Sequence, residues 1–479
     1  MGRKTKFVFS TMIYALLFSV FLYKNLGGIT FLIYSICNVI YIRYNTALLG
    51  QKTKKDNLFA EIALVLIGLS QFLTSNEVLW FFNFVASFVL TLYIVLHQFS
   101  EDNDWSLLRN IGQIISTVFL ALCDLFKPFS DYSEFKSQNR EDHKKLVPII
   151  TVFVTLLVSI PIVIIIICLL SSADVVFSNL VSDTLSKIFS FDLVLFALLT
   201  LFVFLYVYAL IEYLKNRRQP GEENLHTKDP LVGITLGILL DLVYVVFSII
   251  QVFYLFIGKF EIPNGYTYAQ YAREGYFQLL FVCLINVVFV IIGCHAFRTS
   301  KILKPVLSIM CLCTYVMIAS SAFRMILYIR YYHFSFLRIF VLWSLVVIAL
   351  CMTGLMVYII KPEFKLFSFA FRVITVCYIV LAFSHFDYLI ADWNINGEER
   401  FGETFFIDSA NNPDYDYLYY LSYDAAPILL CDENFLNDCA NSNIYIENIA
   451  RNCKTNIRNF NIAKYIAYKG TKRTDFFVN

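Results

Sequence analysis

The sequence predicts an all-α, polytopic bundle of membrane-spanning helices, and three observations carry that prediction. Apolar residues fill 59% of the 479 positions and charged residues only 15%, against ~25% charged in soluble domains. The mean hydropathy is +0.67. The apolar residues also gather into long unbroken runs. At ~1.5 Å of rise per residue, most of these runs suffice to cross a hydrocarbon core ~30 Å thick. This composition excludes a soluble enzyme, a DNA-binding protein and a disordered scaffold. The formal net charge of +2 selects no acidic partner, and no nucleic acid is implied.

Hydropathy places eleven spans, at 7–23, 28–42, 58–74, 78–98, 146–170, 191–214, 231–257, 276–297, 303–328, 336–360 and 366–388. Unpaired backbone polar groups are not tolerated in lipid, so each continuous run reads as a helix. The run at 28–42 is short and reads as a shallow hairpin partner of the first. Lys24-Asn25-Leu26-Gly27-Gly28 offers no small-x-small cleavage site, and another apolar run follows at once. The first run is therefore a span rather than a signal peptide. Residues 105–126 carry an apolar stripe through Leu108, Ile111, Ile115, Val118, Phe119 and Leu122. Asn110, Gln113, Thr117 and Asp124 lie on or near the other face. That pattern predicts an amphipathic helix on the inner membrane surface.

Lysines and arginines set the orientation. With the N-terminus inside, the inner segments hold 22 of them, whereas the outer loops hold only Lys24, Lys187, Lys259, Arg273 and Arg330. Treating 105–126 as a span would invert every later loop and destroy this alternation. The predicted organisation is a four-span region at 1–98, an inner loop with its surface helix at 99–145, a seven-span core at 146–396, and a small extracytoplasmic domain at 397–479.

That last segment is polar. Residues 398–438 contain ten acids and one base, and residues 439–479 contain two acids and seven bases. The two halves are suited to attract each other. Tyr417, Leu418, Leu421, Ala425, Ile428 and Leu429 recur at helical spacing and predict a short amphipathic helix. The acids lack EF-hand spacing, so a solvated surface is the simpler reading than a divalent-cation site. Cys431, Cys439 and Cys453 lie in this domain and allow one disulfide with one thiol left over. The other nine cysteines fall in apolar stretches, where cysteine packs as a small hydrophobe.

Few residues carry chemistry. Asp241 sits ten residues into its span, where a charged acid costs about 2.5–3.5 kcal/mol. It reads either as an ion or proton site or as a structural acid bonded to a neighbouring helix. Arg324 lies near the outer end of its span with Tyr328 four residues on, and Arg338 opens the next span. These arginines read either as snorkelling to headgroups or as an anion site for a lipid phosphate. Asn286 and Gln251 read as interhelical contacts. No G-x-S-x-G, H-E-x-x-H or phosphate-loop lysine is present, no histidines are spaced as metal ligands, and no catalytic residue, cofactor or metal is indicated.

Several segments resemble one family. They are Gly265-Tyr-Thr-Tyr-Ala-Gln-Tyr-Ala-Arg-Glu-Gly275-Tyr-Phe-Gln-Leu279, Ser171-Ser-Ala-Asp174-Val-Val-Phe177, Arg324-Met-Ile-Leu-Tyr328, Asp387-Tyr-Leu-Ile-Ala391 with Asn394, Tyr417-Leu-Tyr-Tyr-Leu-Ser-Tyr-Asp424-Ala-Ala-Pro427, and Asn459-Phe-Asn461. In this order they resemble a bacterial multi-pass family catalogued as a domain of unknown function, number 4173, allied to 4153. The resemblance covers about 145–465 and a weaker N-terminal hairpin around Lys24 to Phe31. It implies membership and architecture but no reaction. One departure is Tyr332-His333-Phe334-Ser335, where the family pattern leads one to expect Tyr-Gly-Leu-Thr. A lost glycine there puts a tight turn in doubt.

The patterned residues fall at the outer ends of their spans. An intramembrane polar site of Asp241, Arg324, Tyr328 and Arg338 is one candidate. An outer-face motif of Asp174, Tyr268, Tyr271, Arg273, Glu274, Gly275, Gln278 and Asp387 is the other. Tyr268, Tyr271 and Ala272 suggest a short interfacial helix leading into the span at Tyr276, although plain headgroup anchoring by tyrosine accounts for them equally. Three functions compete for a bacterial plasma-membrane protein with these features. The first is a non-enzymatic envelope sensor or assembly partner that meets an envelope protein or anionic lipid at the outer face. The second is a transporter or lipid flippase with Asp241 as coupling acid and Arg324 as phosphate contact. The third is an enzyme acting on an envelope lipid. The orientation is directly testable: after mild reduction, a membrane-impermeant thiol reagent is expected to label the 397–479 segment in intact cells. Labelling confined to broken cells would invert the layout.

Overall fold

The structure is a computed structural model. It describes residues 3–99, 107–125, 191–216, 230–253, 268–296, 301–402, 405–406, 414–437, 439–453 and 457–474, with a few single positions besides. The expected span at 146–170 and Asp174 lie outside the described residues. The described residues are helical throughout. In chain order the long helices are α1 (Arg3–Leu22), α2 (Ile29–Leu48), α3 (Asn57–Leu73), α4 (Glu77–Phe99), α5 (Leu107–Cys123), α6 (Phe191–Asn216), α7 (Pro230–Gln251), α8 (Tyr268–Ala296), α9 (Leu303–Tyr332), α10 (Phe336–Ile360) and α11 (Leu366–Phe383). Short helices follow: α12 (Phe386–Ile395), α13 (Gly397–Phe401), α14 (Tyr415–Leu418), α15 (Ala426–Leu429), α16 (Glu433–Asn437), α17 (Cys439–Asn452) and α18 (Ile462–Thr474).

Eight of the long helices are long and apolar enough to cross a membrane. The 17-residue α3 is apolar but shorter, and α2 is not among the eight. Side-chain distribution argues for lipid as the surrounding solvent. Helix α7 leaves Val232 72% and Leu242 64% exposed, while it buries Gly233, Gly237, Asp241, Ser248 and Gln251. In water this arrangement would be inside out. In lipid, which offers no hydrophobic drive between helices, small and polar residues belong at the contact. Helix α5 follows the same rule: Asn110, Thr117 and Ala121 are buried and Ile111, Ile115 and Phe119 are outward, with α6 as its main neighbour. Its polar side is turned to protein, where the sequence pattern alone would turn it to water.

Two apolar cores result. One joins α1–α6 and reaches Phe367 of α11. The other joins α8–α11 with the short C-terminal helices. Helix α11 stitches them: Phe371 stacks on Tyr93 at 3.8 Å between ring centroids, and the Tyr378 hydroxyl donates to Asn83 Oδ1 at 2.6 Å. Helix α11 stops at Phe383, short of the expected 388. His385 takes a left-handed backbone (φ 46°), which turns the chain into α12.

The short helices form a cap over one end of the bundle. The expected amphipathic helix over 417–429 is instead α14, a 3-10 turn at Tyr423–Ala425, and α15. Leu418, Leu421, Ala425 and Leu429 are nonetheless buried as their spacing implied. Pro427 opens α15, where its missing N–H costs no helical bond. Cys431 and Cys453 are free thiols, and Cys453 is buried. The acidic and basic halves of the cap pack together, α15 and the 3-10 turn against α18, but among the described residues no ion pair joins them. Asp392 pairs with Arg400 close by in sequence, while Lys464 sits over the Trp80 ring and Lys469 over the Tyr465 ring.

The N-terminal hairpin is tied to the cap at Gly28. The Ile29 amide donates to the Phe460 carbonyl at 2.9 Å, and a Cβ on Gly28 would stand 2.7 Å from that same oxygen. Gly28 also has φ +87°, a region that side chains resist. Gly28→Val is expected to lower stability by about 2 kcal/mol, read as a lower unfolding temperature in detergent, and to speed hydrogen exchange in 457–470. An unchanged exchange pattern would show that this tie does not hold the cap.

Candidate functional site

The candidate site lies at the junction of cap and bundle, where the α3–α4 turn carries Thr74, Ser75 and Asn76. These residues end one helix and start the next, and their polar groups are buried under the cap. Asp424 of the 3-10 turn receives three of them. The Thr74 hydroxyl donates to Oδ2 at 2.5 Å, and the Ser75 amide and hydroxyl both donate to Oδ1 at 2.6 Å. Asp387 of α12 takes the next. The Asn76 amide donates to Oδ2 at 2.8 Å, and the Ser422 backbone N–H reaches the same oxygen at 3.0 Å. Asn461 closes the ring by donating to the Gln71 and Thr74 carbonyls. Gln71 in turn donates to the Leu26 carbonyl at 2.6 Å and accepts from Asn83 at 2.7 Å.

Asp387, one of the three outer-face acids that the sequence singled out, thus sits in a node with Asp424 and the α3–α4 turn. Asn394 serves a second turn. Its side chain accepts from Phe334 N and donates to Phe334 O, bracketing the strand-like step after α9. His333 stands in that step at φ 63°. The tight turn that the missing glycine put in doubt is therefore present, with histidine in the glycine-like conformation. The Arg338 guanidinium holds it by donating to the Tyr332 and His333 carbonyls.

A cavity of about 290 Å³ opens beside the node. Leu73, Tyr388, Tyr423, Pro427, Ile462 and Ile466 line it together with His385 and Asp424. His385 Nδ1 lies 3.2 Å from Asp424 Oδ2. The bond to Asp424 raises the His385 pKa from its ordinary 6.5, against the opposing effect of burial. Burial raises the Asp387 carboxyl above the usual carboxylate range, and its hydrogen bonds only partly oppose this. The arrangement presents an imidazole able to stay cationic near neutral pH to a largely apolar hollow.

The other candidates separate. Arg324 packs on α8 at Gly275, where any Cβ would collide with its guanidinium. Arg324 also lies 3.5 Å from Gln251 Oε1, which accepts from Ser320 at 2.6 Å. Tyr328 stacks with Tyr276, and the Arg338 guanidinium lies 4.4 Å over the Tyr328 ring. Arg324, Tyr328, Arg338 and Gly275 therefore form one group, while Gln278 is exposed. Asp241 is not part of it. Gln251 is the α7 residue that reaches Arg324, and Asp241 lies ten residues, or ~15 Å, farther down the helix. Tyr268, Tyr271, Arg273 and Glu274 belong to α8, which runs unbroken from Tyr268 into the span. Their side chains lie outside the described residues. Among the described residues no group of three metal-ligating side chains occurs.

Sequence reasoning did not single out Thr74, Ser75, Asn76, Gln71 or His385. The only local signal was a polar Thr-Ser-Asn between two apolar runs, which is common to any interhelical turn.

The node responds to pH with a definite sign. His385 has a raised folded pKa, so its contribution is complete below about 6.5 and is lost as pH rises through the folded value. Asp387 is also raised, so its contribution likewise fades with rising pH. Protection of 415–430 against hydrogen exchange, taken relative to the intrinsic amide rate at each pH, is therefore expected to fall from pH 6 to pH 8. His385→Gln should flatten that change, and a cap that tightens with rising pH would contradict the assignment.

No curated protein and no solved structure matches this chain. A family model does, over residues 62–430, a range that runs from α3 through the node to Leu430. The chain belongs to the family described as Domain of unknown function (DUF4153).

Proposed function

We propose that the chain is a non-enzymatic sensor or assembly partner in a bacterial plasma membrane, with the cap on the outer side. The order of its motifs also suggests kinship with the allied family 4173. One observation carries the reading: the cavity opens at the seam where Asp424 joins cap to bundle. Anything that enters it bears on α18, the 3-10 turn and the α3–α4 turn together. A raised histidine in an apolar hollow suits the anionic end of an amphipathic ligand, such as a lipid headgroup or an acidic residue of an envelope protein. The charge alternation supports the outward placement of the cap.

Photo-crosslinking amino acids at Tyr388 and Ile466, with Leu242 of α7 as a bilayer-facing reference, test this in cells. Tyr388 and Ile466 are expected to capture a protein or anionic lipid that Leu242 does not, and Asp424→Asn should reduce capture several-fold. Adducts identical to those at Leu242, or capture indifferent to Asp424→Asn, would count against the reading.

A further inference from the structure

The second place where polar groups are concentrated lies inside the membrane, away from the cap node. On α7 the buried positions Gly233, Gly237, Asp241, Ser248 and Gln251 make one stripe, and α9 is the neighbour that α7 packs against most extensively. Asp241 is eleven residues from Pro230, ~17 Å along a 22-residue helix, and so near mid-span. It is 7% exposed, and its Oδ1 accepts no hydrogen bond. Asn286 of α8 is fully buried. Its amide donates to Thr314 of α9 at 3.0 Å, and its Oδ1 also lacks a donor. Two acceptor oxygens thus stand without donors among α7, α8 and α9.

The titratable groups facing Asp241 are Tyr244 on its own helix and Cys311 and Cys313 on α9, with Cys283 of α8 beside Tyr244. None is a cation, and Arg324 is engaged a helix-half away at Gln251 and Gly275. Among the described residues no counter-charge reaches an ionised carboxylate at this depth, in a medium where an unpaired acid costs several kcal/mol. A proton removes that charge and gives the acid an O–H donor. The polar positions then continue toward the cap end: Ser248 lies on the same buried stripe with its hydroxyl unpaired, and Ser320 bonds Gln251 beside Arg324.

We infer that Asp241 is a proton-binding site within the membrane, and that the stripe from Asp241 through Ser248 to Gln251 and Arg324 connects it with the cap end. The site takes a proton rather than a metal cation, because Asp241 supplies the only carboxylate there among the described residues and the remaining groups are thiols, hydroxyls and amides. It stands independently of any ligand at the cap.

The test uses the full chain in liposomes and an apolar carbodiimide, which reacts with protonated carboxyls in apolar surroundings. Peptide mapping is expected to find the adduct on Asp241 at pH 6, several-fold less at pH 9, and equal amounts in sodium and choline chloride. Asp241→Asn should remove that adduct. No adduct on Asp241 at pH 6, or yield that does not change with pH, would overturn the inference. Protection by sodium would overturn it in favour of a metal-cation site. The wild-type mapping decides the question even if the variant does not fold.

Discussion

Lipid cannot hydrogen-bond, and most of this structure follows from that constraint. A polar side chain that enters the bilayer either bonds its own backbone, as Thr314 does, finds a partner on another helix, as the Asn286 amide does, or stays unpaired at a cost. Helix faces therefore invert: α7 shows Val232 and Leu242 outward and keeps Gly237, Ser248 and Gln251 inward. Polar contacts select which helices meet. Asn83 joins α3, α4 and α11 through Gln71, Ser70 and Tyr378, and Asn286 joins α8 to α9 through Thr314. Once those partners are chosen, the large apolar residues have only to fill the space between them.

The same constraint acts more gently at the cap. Asp387 and Asp424 lie close together under an apolar lid, an arrangement that repulsion and desolvation oppose. Donors from two backbone amides, three side chains of the α3–α4 turn and His385 offset the cost. Removing any one donor leaves a buried carboxylate short of partners, which typically destabilises more than the bond itself contributes. The cap is thereby bound to the bundle through a few charge-assisted bonds, and its grip varies with the protonation of His385 and Asp387.

The arginine group is built on a different principle. Arg324 packs against a glycine and an amide. It lies along α8 because Gly275 leaves room, and it shares the Gln251 carbonyl oxygen with Ser320. Arg338 combines cation–π contact with Tyr328 and bonds to two carbonyls of the His333 turn. Both arginines are spent on the ends of helices, which accounts for the sharp α9–α10 connection despite a histidine at φ 63°.

Much of the fold was legible because it depends on one-dimensional patterns. Apolar run length located a helix at ten of the eleven expected spans, eight of these long and apolar enough to cross a membrane, and the polar breaks located most of their ends. The exceptions are instructive. The last span ends at Phe383 because a left-handed His385 turns the chain, which hydropathy does not sense. Tyr268 begins a single long α8 because no proline separates it from Tyr276 and the helix runs through Gly275. Of the site, Asp387 and Arg324 could be found because charge is conspicuous near lipid. Thr74, Ser75, Asn76 and His385 could not, since each is ordinary in its local context. What the chain determines by itself is where it is greasy, where it turns and which ends carry positive charge, because these depend only on neighbours in sequence. Tertiary packing alone decides that Asp424 meets a turn 350 residues away and that, among the described residues, Asp241 meets no cation. Those outcomes depend on which helix faces touch, and periodicity within one segment does not encode that.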